Sequence, residues 1–309
     1  MKRKVNRVGV NTLTVSLPSK WVKKLKISPG DELFCQEDRS RIIISKTGIM
    51  KDKKDISLRI DHFNKYVLSR YLTVLYRMGY SKITLVYSKA TLRDLKSRKD
   101  VNIKKLIKKL CDRFIGMDIT SQTSTKTDIT CFLSSNKEHL RTIEKRIFFL
   151  LKETIDELLK TAKKDHKTFH ESVYDHHDNI VKYINYYLRM VELSDMNEYE
   201  KHHLTTLYQV VDMIVDKIRH LSEKIDKYGC TVRVEKYIQT LFNFFFEALE
   251  GLHRTKLPDD YVTKRYKIVQ SLQNEKFSLA EYQVIAEIII LLDLNNYFYE
   301  AVVVNQLSK

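Results

Sequence analysis

From Asn136 to its end, the chain carries apolar residues at helical spacing and very few residues that would interrupt a helix. Ile147, Leu151 and Ile155 are typical, because residues four apart lie on one face of a helix. The chain has only 7 Gly and 3 Pro in 309 residues, a composition that favours long helices. The pattern predicts six helical segments in two sets of three. The breaks between them are expected near Asp165, Asp195, Gly229, Pro258 and Phe277.

The first 46 residues follow a different pattern, and two of the three prolines, Pro18 and Pro29, fall there. The segment VGVNTLTVSL alternates and is rich in β-branched residues, which predicts a half-buried strand. Pro18 opens a short helix over SKWVKKLKI, and ELFCQ and RIIIS predict a pair of strands. Because about 45 residues bury little surface alone, we expect an obligate dimer.

Residues 55–135 alternate between strand and helix patterns in the order βαβαββ, which predicts a small α/β layer domain. The predicted strands are ISLRI, KITLVY, MDITSQTS and DITCFLS, with helices over HFNKYVLSRYLTVLYRMGY and NIKKLIKKLCDRFI. We therefore expect an α+β fold that is mostly α. Its predicted domains are residues 1–48, 52–135 and 136–309.

The net charge of +16 is unevenly distributed along the chain. Residues 1–46 carry +7, residues 47–135 carry +11, and residues 136–309 carry −2. A fold does not need such asymmetry, whereas binding to a polyanion does. The front of the chain is therefore the predicted binding region for nucleic acid.

Several classes of protein are disfavoured by the sequence. The four cysteines are far apart and lack CxxC spacing, so reduced thiols in a cytoplasmic protein are expected. No signal-peptide h-region opens the chain, and its longest apolar run is too short to span a bilayer, so we expect no membrane insertion. No nucleophile elbow, P-loop or dinucleotide fingerprint is present, and we expect no enzymatic activity.

The N-terminal cations suit contacts with phosphates, which need long positively charged side chains at high density. A solvated charged face is the alternative interpretation. The candidates flank the first predicted strand and crowd the short helix: Arg3, Lys4, Arg7, Lys20, Lys23 and Lys24.

The segment MKRKVNRVGVNTLTVSLPSKWVKKLKISPGDEL resembles the swapped-hairpin DNA-binding domain of the AbrB/MazE/SpoVT group. Four features carry the resemblance: RKV before the strand, the proline that opens the helix, the paired lysines and the PGDEL turn. It implies a swapped-hairpin β-barrel, formed by an intertwined homodimer, that binds double-stranded DNA. By match, Asn11 and Thr12 stand at the family's polar loop, where some members have a Gly–Arg step, so base preference does not carry over. The cations placed by this match are Arg3, Lys4, Arg7, Lys23 and Lys24.

Two acidic patterns stand out in the helical half. Asp212 and Asp216 are four residues apart in QVVDMIVDKIRHLSEKI, and Glu171, Asp175 and Asp178 form a second stripe. Carboxylates that converge from facing helices bind metals in bundles, here a divalent or iron-type ion. Solvated or lysine-paired acids are the alternative, and the sequence requires no cofactor.

Residues from about 144 to 300 resemble the PhoU family, a tandem of three-helix bundles with E/DxxxD metal-binding motifs. DMIVDKIRHLSE is the best-preserved piece, and the order of the three predicted domains resembles archaeal regulators of this kind. The resemblance implies a link to phosphate uptake. Ile289 and Val181 stand where the family has acidic residues, so a full metal cluster is not implied.

Six histidines form a third candidate for metal binding, because imidazole is a common ligand of transition metals. The favoured interpretation is exposed histidines near helix ends in polar surroundings. The six are His166, His170, His176, His177, His202 and His203.

These patterns lead to one functional expectation and three alternatives. We expect a transcriptional regulator, linked to phosphate homeostasis, that binds DNA and uses its bundle to sense a signal or bind a phosphate-signalling or transporter protein. The first alternative is a scaffold that binds no DNA and modulates such a partner. An enzyme with a bundle metal site is the second. An antitoxin is the third, less favoured because more than 250 residues follow the DNA-binding segment.

Overall fold

The computed structural model describes residues 2–38, 41–46, 54–133, 138–161, 166–251 and 260–307. The chain divides into two compact units, residues 1–52 and residues 53–309, here called the N-terminal unit and the second unit. The fold is mixed α+β and mostly helical, as predicted. The predicted boundary between residues 48 and 52 lies outside the described residues, and the boundary near residue 135 stays a prediction.

The N-terminal unit begins with a hairpin of two short strands, β1 (Val5–Val8) and β2 (Thr12–Val15), paired antiparallel. The prediction of one strand over this segment is therefore wrong. Gly9 has φ +73°, a left-handed conformation that glycine adopts without steric cost, and the chain reverses there. Helix α1 and a second hairpin follow as predicted: α1 (Ser19–Leu25), β3 (Phe34–Asp38) and β4 (Arg41–Ser45).

None of the N-terminal residues whose burial is described is buried. Val5 is 63% exposed and Leu13 is 67% exposed, so the expected half-buried strand is not half-buried in the single chain. Leaving so many apolar side chains in water costs free energy that only another surface can recover. The single chain therefore lacks part of the core of this unit.

The second unit opens with a four-stranded sheet in the order β5-β6-β10-β9, in which β5 and β6 are parallel and the other pairs antiparallel. The strand and helix order predicted for this sheet is confirmed. The elements are β5 (Lys54–Arg59), α2 (Lys65–Arg77), β6 (Tyr80–Val86), β7 (Thr91–Asp94), β8 (Lys99–Asn102), α3 (Ile103–Cys111), β9 (Met117–Gln122) and β10 (Lys126–Cys131).

The hairpin β7–β8 was not predicted, because its segment reads as a lysine-rich loop. Its turn is held by Asp94, whose side chain accepts hydrogen bonds from Lys65 Nζ at 2.8 Å and from the backbone N–H of Lys96 at 3.0 Å. Such side-chain contacts to backbone organise a turn without any apolar pattern. The sequence pattern therefore could not reveal it.

Capping and packing place α2 and α3 against the sheet. The Asn64 side chain accepts hydrogen bonds from the N–H groups of Tyr66 and Val67, and the Asn102 side chain from that of Lys105. These asparagines satisfy N–H groups that have no partner inside the helix. The apolar faces of both helices join one buried cluster with the strands.

In the ranges that the structure describes, six helices follow the sheet, as predicted, and form an all-α bundle. Helix α6 packs against both α5 and α9, and the bundle has its own buried cluster. The predicted breaks near Asp195, Gly229 and Phe277 are confirmed, whereas Asp165 and Pro258 lie outside the described residues. Within the described part of the chain, no helix has the length and apolarity needed to cross a membrane. The helices are α4 (Glu138–Thr161), α5 (His166–Leu193), α6 (Glu198–Tyr228), α7 (Val232–Gly251), α8 (Tyr261–Asn274) and α9 (Leu279–Leu307).

Helix α5 joins the bundle to the sheet through the carboxyl end of α2. Arg189 is 1% exposed and donates hydrogen bonds from Nη1 to the carbonyl oxygens of Tyr76 at 2.8 Å and Tyr80 at 3.0 Å. Lys54 Nζ donates to the Met78 carbonyl oxygen at 2.9 Å and pairs with Glu192 at 3.2 Å. These cations add hydrogen bonds to carbonyl oxygens at and just beyond the carboxyl end of α2, where the helix dipole favours positive charge.

Candidate nucleic-acid interface

The first hairpin exposes both cations and polar turn residues. Arg7 pairs with Leu13 across the hairpin and shares its face with Val5 and Val15, because residues two apart in a strand point the same way. The opposite face carries Asn6, Val8, Thr12 and Thr14. The candidate residues Arg3, Lys4, Arg7, Asn11 and Thr12 are all exposed.

Helix α1 directs its lysines to solvent while Trp21 and Val22 are half-buried. Its carboxyl end is held by Lys46, whose Nζ donates to the carbonyl oxygens of Leu25 at 3.2 Å and Lys26 at 2.7 Å. The lysines on this helix are Lys20, Lys23 and Lys24, and each is exposed.

Asp31 in the PGDEL turn completes the support of α1. Its carboxylate accepts a hydrogen bond from the Ser28 N–H at 3.0 Å and lies 3.2 Å from Lys46 Nζ. The Ser28 hydrogen bond, followed by the Lys46 contact, lowers the pKa of Asp31. The resulting anion keeps Lys46 in place as the cap of the helix.

The eight candidate DNA contacts are exposed side chains free to meet an anionic ligand. None of the six cations among them forms an ion pair with any residue in the described ranges. Cations without acidic neighbours keep their full charge for a polyanion. Four of the cations, here called the basic quartet, provide the sharpest test because two precede β1 and two lie on α1. They are Arg3, Lys4, Lys23 and Lys24.

The acids of the helical half are engaged by cations. Arg77 at the end of α2 donates from Nη2 to Asp212 Oδ2 at 2.7 Å and from Nε to Asn185 at 2.7 Å. Arg113, just beyond α3, pairs with Asp178 at 3.1 Å. The sheet region thus supplies the partners of two predicted metal ligands, which the sequence did not indicate.

His177 lies between two of the acids. Its Nε2 is 2.9 Å from Asp216 Oδ1, and its Nδ1 is 3.2 Å from Asp178 Oδ1. Burial opposes a charge on His177, but the contacts to Asp178 and Asp216 outweigh burial and raise its pKa. The hydrogen bond with His177 is also the main cause that lowers the pKa of Asp216 to about 2. The arrangement links α5 to α6 through charge.

The interpretation of the histidines as exposed residues near helix ends is wrong for three of them. His176 and His177 lie in the middle of α5, with 30% and 11% of their side chains exposed. His203 is 7% exposed, and burial lowers its pKa. The side chains of His166 and His170 lie outside the described residues.

The described residues contain no group of three or more His, Cys, Asp or Glu side chains arranged to hold a metal ion. Glu171 and Asp175 are exposed on α5. The metal site stays a prediction, and the ion pairs favour the alternative of acids paired with cations.

Metal analysis of the purified chain tests this point. Because Arg113, Arg77 and Arg219 already pair with Asp178, Asp212 and Asp216, we expect far less than one bound metal per chain, measured by mass spectrometry of the elements. Asp216→Ala should leave that content unchanged. A stoichiometric metal that is lost in Asp216→Ala would establish the metal site instead.

Comparison with known proteins identifies the N-terminal unit. Residues 7–52 match the family model described as antidote-toxin recognition MazE, bacterial antitoxin. This match includes six of the eight candidate residues and leaves out Arg3 and Lys4, and it covers a small part of the chain. No curated protein and no solved structure matches the chain. The chain thus carries a MazE-type domain followed by a long helical region.

Proposed function

We propose that this protein is a cytoplasmic transcriptional regulator that binds double-stranded DNA through its N-terminal unit. The observation that carries the proposal is a MazE-type domain in an N-terminal unit whose six candidate DNA-binding cations are exposed and form no ion pair with a described residue. Phosphate contacts from Arg and Lys supply most non-specific DNA affinity. Asn11 and Thr12 at the hairpin turn are suited to hydrogen bonds with phosphates or base edges.

We propose that the DNA-binding form is a homodimer through this unit, with the swapped-hairpin barrel of the AbrB type. Val10 is 85% exposed, Phe34 58% and Ile42 68%. A second copy would cover such side chains and complete the missing core.

The helical bundle is the proposed sensing or partner-binding part, with a link to phosphate supply. This link rests on the resemblance of residues 144–300 to the PhoU family and on the six helices that the structure describes in this part of the chain. Contacts of α5 with the end of α2 offer a route for a change in the bundle to reach β5, which begins at Lys54. If the bundle has two geometries in equilibrium, a ligand that binds one of them more tightly would shift the population toward it.

Selection of bound genomic fragments at near-physiological salt tests the phosphate link. Enrichment of promoters of phosphate-transport genes is the expected result. DNA binding with enrichment of unrelated promoters would retain the DNA-binding proposal and overturn the phosphate link. No enrichment at all would favour the scaffold, which binds a transporter or signalling protein in place of DNA.

The match to an antitoxin family also favours a second candidate, an antitoxin that binds a toxin protein. A toxin that copurifies at a fixed ratio and loses its activity on binding would support this function. The DNA-binding regulator predicts no such companion.

A further inference from the structure

Among the described residues, β5 forms one edge of the sheet of the second unit. This strand pairs with β6 on one side, and no described strand lies on its other side. Ile60 donates its N–H to the Val86 carbonyl oxygen at 2.9 Å. Because backbone groups alternate in direction along a strand, those of Asp55, Ser57 and Arg59 point to the free edge. Unpaired edge groups of this kind are a template for another strand.

An apolar groove of about 270 Å³ runs beside this edge, between β5 and α2. Ile56 and Leu58 form its strand side. On the helix side, Tyr71 is 47% exposed and Val74 is 52% exposed. Single exposed apolar residues are ordinary, but a groove that continues an unpaired edge is typical of an interaction surface. The edge and groove together would accept a strand and a helix.

The charges on β5 are complementary to those of a second β5. If two copies pair antiparallel about a two-fold axis at Ser57, Asp55 of each copy lies opposite Arg59 of the other, and Ile56 lies opposite Leu58. Opposite charges in facing positions stabilise a pair of strands. Two-fold registers centred on Asp55 or on Arg59 would instead put like charges face to face.

Both charged side chains are available for this pairing. The Arg59 side chain is 73% exposed, and its contact with Asp61 is long at 3.7 Å. Asp55 is exposed and has no ion pair with a residue in the described ranges. Pairing across the edge would give each a direct partner on the polar face of the sheet.

We propose that β5 and the adjoining face of α2 form a two-fold interface with a second copy of this chain. The two four-stranded sheets join into one continuous sheet, and Tyr71 and Val74 of the two α2 helices pack across the axis. The same patch serves both copies, as a closed two-fold contact requires. The inference depends on the second unit alone and is independent of DNA binding.

Disulfide formation at Ser57 tests the interface in the full chain. Facing residues of antiparallel strands have Cβ atoms about 4.5–5.5 Å apart, close enough for Ser57→Cys to form a disulfide with its own copy after a small adjustment. Cys35, an exposed thiol, is first replaced by Ser. The matched control is Ser121→Cys, an exposed position on β9 at the opposite edge of the sheet. We expect nearly complete covalent dimer for Ser57→Cys and little for Ser121→Cys under mild oxidation.

A charge exchange tests the register. In the Ser57→Cys chain, Asp55→Arg should slow cross-linking about tenfold, the equivalent of about 1.4 kcal/mol spread over two facing pairs. Adding Arg59→Asp restores opposite charges and should restore the rate. Thermal unfolding checks that each variant keeps its fold. Equal cross-linking at Ser57 and Ser121, or no recovery in the exchanged pair, would overturn the proposal, and neither result would bear on the affinity for DNA.

Discussion

Replacing all four residues of the basic quartet by alanine is expected to lower the affinity of the full chain for double-stranded DNA by about a thousandfold at 0.1 M salt. In a dimer the change removes up to eight phosphate contacts, and contacts of this kind together account for three or more orders of magnitude of affinity. Because all four side chains are exposed, the fold should be unaffected. Filter binding with a fixed duplex measures the affinity.

A matched control removes the same charge from the acidic helical half. Four exposed cations on α4 are available, none with an ion pair to a described residue: Arg141, Lys145, Lys152 and Lys160. Their replacement by alanine should change DNA affinity by less than about tenfold, since only the net charge is altered. If this control lost as much affinity as the quartet variant, the interface would not lie on the N-terminal unit.

Arg189→Met should cost about 3 kcal/mol in the free energy of unfolding of the second unit. Methionine keeps an apolar stem of similar length but removes the guanidinium that donates to the carbonyl oxygens of Tyr76 and Tyr80. Tyr76 keeps the hydrogen bond from the Gly79 N–H at 3.1 Å, so the expected cost is the loss of two buried hydrogen bonds from a charged donor, about 1.5–3 kcal/mol each. Thermal unfolding should show a midpoint about 6–12 °C lower.

The exposed Arg141 on α4 gives the comparison for this variant. Arg141→Met should stay within about 0.5 kcal/mol of the parent chain, as surface substitutions usually do. A loss below about 1 kcal/mol for Arg189→Met would show that α5 does not depend on this cation to hold the carboxyl end of α2. The proposed route from the bundle to β5 would then lose its main support.

The parts of the fold that follow from local pattern were predictable from the sequence. Six helices follow from the apolar repeat and the scarcity of glycine and proline, and the sheet strands follow from alternation. The β7–β8 hairpin was missed because a polar side chain, Asp94, organises its turn. The sequence predicts one strand in place of the first hairpin because the β-branched pattern continues across the turn that Gly9 allows.

The candidate site was predictable only in part. The charge asymmetry and the PGDEL turn pointed to the N-terminal cations, which the structure places on the surface. The partners of the acids could not be foreseen, because Arg77 and Arg113 are distant in sequence from Asp212 and Asp178. The one sequence feature that pointed to these partners was the presence of basic residues near the carboxyl ends of two predicted helices.

A salt titration of DNA binding by the full chain tests the central claim most directly. Six to eight phosphate contacts predict that the logarithm of the association constant falls linearly with the logarithm of salt concentration, with a slope of roughly −5 to −7. The account would be contradicted if the chain did not bind duplex DNA, or if its affinity stayed the same between 50 mM and 200 mM salt. Either result would favour a scaffold that binds no DNA.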